Sequence, residues 1–190
     1  MRYLALGDSY TAGTGASDAA HAWPSIIAAR LGAELTNPAV NGYTTEDLIR
    51  DELPLVDELQ PELVTVLIGV NDLVQGRSVE AYRESLATIY DAVAAARVVA
   101  VAIPSWSYVP AAADFGGAAR VDRLTQLFNA AARQLAGERG FPWVDLGPVS
   151  TSNIGSPGWL ASDQLHPGDA QYAAWAEVIW PAVRDACPRP

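Results

Sequence analysis

The chain contains no lysine. All twelve of its basic side chains are arginines, against 22 acidic ones, for a net charge of -10. That balance excludes the positive surface that nucleic acid or an anionic membrane face requires. Cysteine is nearly absent too. Cys187 stands alone, so no internal disulfide can form, in keeping with a reducing compartment. Long apolar runs are missing. The first, Tyr3-Leu4-Ala5-Leu6, is stopped by Gly7-Asp8, too early for a signal-peptide core, and no later stretch is long enough to span a bilayer. A soluble, cytoplasmic protein is expected, or a secreted one if an export signal has been removed, with no integral membrane association and a monomer ahead of an oligomer. No serine sits in a Gly-x-Ser-x-Gly elbow, and there is no Gly-Lys-Ser/Thr phosphate loop. Two widely separated histidines and one cysteine do not suggest zinc. Gly13-Thr14-Gly15 follows a strand, as in dinucleotide loops, but the third glycine is missing.

What is present is a core. Half of the 190 residues are apolar and 18% are charged, which fits one globular domain spanning 1–190. There are no internal repeats, low-complexity tracts or linkers. Short continuous apolar runs alternate with helix-like segments. Strands are predicted at 2–7, 33–36, 63–68, 98–103 and 141–146. Helices are predicted at 20–31, 44–58 with an interruption at Pro54, 78–95, 117–137, and from Pro167 to a bend or stop near Pro181. Strands apolar on both faces, with helices between them, imply an α/β fold. The expected form is a three-layer α/β/α sandwich around a five-stranded parallel sheet of flavodoxin-like topology, in the order 2-1-3-4-5. In such sheets, ligands sit at the carboxyl ends of the strands. Ser9 follows strand one, Asn41-Gly42 strand two and Asn71 strand three, so all three should meet on one edge.

Ser9 is a candidate nucleophile, although a serine after a strand can equally cap the next helix. His166 is a candidate base. It precedes Pro167, a residue suited to the first helical position, and histidine is not itself a favoured cap. Asp163 stands three positions earlier, where a tight turn could bring its carboxylate to one ring nitrogen and leave the other free. Asp145, ending strand five, is a second candidate for that orienting role, unless it merely receives backbone amides. His21 is a rival base, read as an exposed residue at a helix start with no carboxylate placed to orient it. For an oxyanion, the candidate donors are the Ser9 amide, the Gly42 amide and the Asn71 side chain, though Asn-Gly also makes turns and Gly-x-Asn-Asp can cap a helix. Asp8 and Asp72 are read as structural, holding loops through backbone hydrogen bonds.

Gly7-Asp8-Ser9, Gly42, Gly69-Val70-Asn71-Asp72 and Asp163-Gln164-Leu165-His166 together resemble the four blocks of the GDSL, or SGNH, hydrolase superfamily, in the same order and across almost the whole chain. Tyr10 stands where the family name has leucine. The resemblance implies Ser9 as nucleophile, His166 as base and Asp163 as its orienting acid, with Ser9, Gly42 and Asn71 forming the oxyanion hole. It implies hydrolysis of esters, thioesters and sometimes amides or acetylated sugars, with no metal or nucleotide cofactor.

Trp106, Tyr108 and Phe115 lie in a long loop after strand four and are candidate walls for an acyl chain, or else aromatics that pin the loop down. Tyr43, Trp159 and Leu165 are further candidate walls. The expected function is a serine esterase acting on a small-molecule ester with a small or medium acyl group. Carbohydrate acetylesterase, lysophospholipase and thioesterase activities are the runners-up, and a catalytically silent binding module on the same fold is the alternative class.

Overall fold

The computed structural model describes residues 1–187. Five parallel strands form one sheet: β1 (Arg2–Gly7), β2 (Glu34–Thr36), β3 (Leu63–Leu67), β4 (Arg97–Val101) and β5 (Trp143–Val144). Their order is β2-β1-β3-β4-β5, as expected. The helices are α1 (Ser9–Ala12), α2 (Trp23–Leu31), α3 (Thr45–Asp51), α4 (Pro54–Leu59), α5 (Val70–Val74), α6 (Val79–Val93), α7 (Ala118–Glu138), α8 (Gly147–Ser150) and α9 (Asp169–Ala186). Short stretches of tighter 3-10 helix cover Ala19–His21 and Pro110–Phe115.

The three central strands are almost wholly apolar because both of their faces are covered. Every residue of β3 is buried, as are Tyr3–Gly7 of β1 and Val98–Val101 of β4. Helices α2 and α9 pack together, and α3 and α7 pack on α6, completing three layers. The spacing on α6 explains its placement: Tyr82, Leu86, Ile89, Tyr90 and Val93 recur at helical period and are all buried, and the Ser78 hydroxyl caps the first turn by accepting from the Ala81 amide. On α9 the corresponding stripe is Tyr172, Trp175, Ala176, Ile179 and Val183.

Three expectations are corrected. Of the bend or stop expected near Pro181, the stop is overturned: helix α9 continues through it to Ala186. Pro181 lies on the solvent side, where an unpaired carbonyl costs little, while buried Ile179 and Val183 hold the turns on either side. That helix also begins two residues later than expected. Gly168 is its cap, and Pro167 instead bridges antiparallel to Leu160. Strand β5, at the sheet edge, pairs only through Trp143 and Val144, shorter than the expected 141–146.

Candidate active site

The turn after β1 carries Ser9. Gly7 ends the strand so close to β3 that a side chain there would stand 2.3 Å from the Leu67 carbonyl oxygen. Asp8 caps α1, its Oδ1 accepting from the Tyr10 amide at 3.0 Å. The cap directs Ser9, 5% exposed, to the carboxyl edge of the sheet. Asp8 thus has the structural role expected of it.

The acid–histidine turn is a small hairpin. It is closed by hydrogen bonds from the Ala161 amide to the His166 carbonyl and from the Gly168 amide to the Trp159 carbonyl. At its tip Gln164 takes a left-handed conformation, φ 57°. Asp163 Oδ1 accepts from the backbone amides of Leu165 and His166, both at 2.9 Å, while Oδ2 lies 2.7 Å from His166 Nδ1. One carboxylate thereby fixes both the backbone and the ring, leaving Nε2 free. Partial burial raises the Asp163 pKa, but the bonds from His166 and the two amides outweigh it and hold the carboxyl below its ordinary range. Tyr10 meets the His166 ring edge-on, centroids 6.3 Å apart, and is itself braced by Trp175 at 5.6 Å.

Asn71 stands in α5, just after Gly69. Gly69 has φ 126°, and a side chain there would approach the buried Tyr82 ring to 2.5 Å. The Asn71 side-chain amide donates to the Tyr43 carbonyl at 2.8 Å, tying α5 to the Gly42 loop and leaving its second hydrogen available. Gly42 has φ 88°. Among the described residues, neither the Ser9 nor the Gly42 backbone N–H has a protein hydrogen-bond partner. Asp72, fully buried, accepts from the Thr45 amide at 2.9 Å and hydroxyl at 2.6 Å, and Arg77 approaches it at 3.2 Å. It therefore clamps the first residue of α3 beside the Gly42 loop. Burial raises its pKa despite the bonds from Thr45 and the charge of Arg77.

A cavity of about 250 Å³ is lined by Ser9, Tyr10, Asn41, Val70, Asn71, Val74, Trp106, Phe115, Leu165 and His166. Residues from opposite ends of the chain thus share one space. No hydrogen bond joins Ser9 Oγ to His166 among the described contacts, as is common for such pairs before substrate binds. Of the expected walls, Trp106, Phe115 and Leu165 face this space. Trp106 is held by a bond to Thr125 Oγ1 at 3.2 Å and by edge contact with Phe115. Tyr43, Tyr108 and Trp159 do not line it. The Tyr108 hydroxyl is taken by Gln171 at 2.7 Å, and the Trp159 indole donates inward to the Ser150 carbonyl at 3.0 Å. Tyr10, Asn41, Val70 and Val74 line it instead. All but Val74 sit inside or beside the motif blocks, the one signal that could have marked them.

The rivals fall elsewhere. Asp145 Oδ1 accepts from the Gly147 amide at 2.8 Å, the backbone role allowed for it. It lines a larger cavity of about 600 Å³, between α7 and α8, that holds no histidine. His21 is exposed as expected but does have an orienting carboxylate: Asp18 Oδ1 lies 2.9 Å from its Nδ1, supplied by the cap of its own turn. Among the described residues no group of three or more His, Cys, Asp or Glu side chains is arranged to hold a metal ion, and no helix is long and apolar enough to cross a membrane.

A flavodoxin-like sheet with a serine, an asparagine and an acid-paired histidine around one cavity, which Asn41 lines but Gly42 does not, has the layout of the acylhydrolases on this fold. Residues 5–174 match the GDSL-like Lipase/Acylhydrolase family, and the chain belongs to it. It is a hydrolase of ester bonds. It is 29% identical over 187 residues to Thioesterase 1/protease 1/lysophospholipase L1 of Escherichia coli (strain K12), an alignment covering 95% of this chain and 84% of that protein. To Esterase TesA of Pseudomonas aeruginosa it is 24% identical over 192 residues, covering 95% and 87%. Its fold superposes on the crystal structure of the lipase/acylhydrolase from Enterococcus faecalis with a TM-score of 0.78 at 23% identity, over the full length of both chains.

Proposed function

We propose that the protein is a serine esterase that cleaves carboxylic esters of small or medium acyl groups through an acyl-enzyme on Ser9. The observation that carries this reading is the single cavity shared by Ser9, Asn71 and His166, with Asp163 bonded to the ring nitrogen that faces away from it. Ser9 Oγ attacks the ester carbonyl as His166 Nε2 takes its proton, and Asp163 stabilises the imidazolium. The carbonyl oxygen becomes an oxyanion and is met by the Ser9 and Gly42 amides and the free hydrogen of Asn71 Nδ2. Loss of one such donor costs about 3–4 kcal/mol of transition-state stabilisation. The intermediate collapses, His166 returns the proton to the leaving alkoxide, and the alcohol departs. Water, deprotonated by His166, then attacks the acyl-enzyme and frees the acid and Ser9.

Val70, Val74, Trp106, Phe115 and Leu165 give the acyl side of the site its apolar walls. Val74 and Phe115 also line a second cavity of about 280 Å³. Thioester and lysophospholipid substrates, which the name of the E. coli relative carries, are the next reading. The test is turnover of p-nitrophenyl esters of graded chain length by the wild type and by Ser9→Ala. The wild type should release a burst of nitrophenol and favour the shorter chains, and Ser9→Ala should fold normally with no turnover above background. Activity surviving in Ser9→Ala would reject the assignment.

A further inference from the structure

Helix α3 is held by a buried acid at each end. At its start Asp72 clamps Thr45. At its far end stands Glu52, 1% exposed, whose amide caps the helix on the Leu48 carbonyl and whose Oε2 accepts from the Gly7 amide at 3.0 Å. Gly7 is the strand residue that leads directly into Asp8-Ser9. The helix therefore spans from the Gly42 loop, fixed through the Thr44–Asp47 capping box, to the underside of the serine turn.

This far anchor has an unusual electrical setting. Among the described residues, the buried carboxylate oxygens without a hydrogen-bond partner are Asp8 Oδ2 and Glu52 Oε1. No basic side chain among the described residues pairs with either acid. The charged groups acting on Glu52 are Asp8, from the β1–α1 turn, and Asp51 beside it, and Asp72 on α5 acts on Asp8. Arg50 is occupied by Asp47 and Asp51, and Arg77 by Glu46 and Asp72. Each acid accepts one backbone hydrogen bond but has no cationic partner among the described residues, so burial favours the neutral form of both.

We propose that Glu52 is a positioning residue, held as the neutral acid beneath the serine turn, and that its loss of a proton sets the alkaline limit of the hydrolase. Neutral, it keeps α3 seated on Gly7 and so fixes the Gly42 loop relative to Ser9. Ionised, it repels Asp8 and places a second negative charge under the donors that must receive an oxyanion. Burial, together with the charges of Asp8 and Asp51, pushes the Glu52 carboxyl up to about 8, and burial with Asp72 pushes Asp8 up to about 7. Because the folded-state value of Glu52 lies above the ordinary one, its contribution to stability is complete below the unfolded-state value and is lost as pH rises toward the folded-state value.

The inference rests on the proposed Ser9 chemistry, so the experiment has one readout that needs that chemistry and one that does not. The kcat and KM of the wild type, Glu52→Gln and Glu52→Ala are followed from about pH 6 to 10, with Ser9→Ala as the blank for spontaneous ester hydrolysis. Wild-type kcat should fall above about pH 8, approaching tenfold per unit as a single ionisation requires, and Glu52→Gln should lack that fall. Glu52→Ala should lower kcat roughly tenfold with KM within about twofold, and Glu52→Gln, which can still accept from Gly7, should recover most of the loss. Independently, the melting temperature of Glu52→Gln relative to wild type should climb from about pH 5 to 8. An unchanged alkaline limb in Glu52→Gln, or a melting difference that does not vary with pH, overturns the proposal. If Glu52→Ala does not fold, Glu52→Gln decides alone. A wild type inactive on esters, or an active Ser9→Ala, strikes the proposed reaction instead, and the melting series still judges the proton on Glu52.

Discussion

Replacing Asp72 by alanine tests whether one buried side chain holds the two halves of the oxyanion site together. The change removes three bonds at once: from the Thr45 amide, the Thr45 hydroxyl and the Arg77 guanidinium. Thr45 is fully buried, so its amide is left without a partner, while its hydroxyl can turn and Arg77 keeps Glu46. Breaking a buried charged cluster by removing one member costs about 3–5 kcal/mol. The carboxylate here already opposes its own burial, as its raised pKa shows, so the lower end applies, about 3 kcal/mol. For a domain of this size that is a fall of about 6–12 °C in melting temperature. Urea unfolding and calorimetry would measure it, and kcat would drop as well, because Asn71 and the Gly42 loop lose their common anchor. Asp72→Asn can still accept from the Thr45 amide and should lose about half as much, roughly 1–2 kcal/mol. A loss below about 1 kcal/mol in Asp72→Ala, with kcat intact, would refute the clamp.

Asp163→Asn should leave the fold unchanged and lower kcat by roughly 10³–10⁴, with a smaller effect on KM, because the ring loses its tautomer control; steady-state kinetics beside a circular dichroism melt would show it, and a loss below about tenfold would speak against the assigned role. Gly69→Ala combines a conformation foreign to side chains with a 2.5 Å approach to a buried tyrosine ring. It should cost about 2–4 kcal/mol in urea unfolding, and near-neutral behaviour would mean that the turn can relax.

Much of this arrangement is legible from residue order because it rests on local patterns. The unbroken apolar runs of β1, β3 and β4 require cover on both faces, and that alone implies a parallel sheet with its useful edge at the strand ends. The turn at Asp163–His166 is equally local, since both partners lie within four residues. What the pattern hides is decided by distant contacts. Tyr108 and Trp159 look like pocket walls until Gln171 and the Ser150 carbonyl claim their polar ends. Proline chemistry alone would stop α9 at Pro181, and only the buried neighbours on either side carry it through. Glu52 gives no hint in the sequence, where it reads as one more acid on a charged helix; its burial comes from β1 arriving from 45 positions away.

The outermost members of the sheet are its shortest. β2 pairs over three positions and β5 over two. An unpaired strand margin is a template on which other chains can polymerise, and long, flat margins are the dangerous ones. This enzyme presents almost none, so its central strands, among the most β-prone segments of the chain, stay sealed from intermolecular pairing for as long as the edges hold.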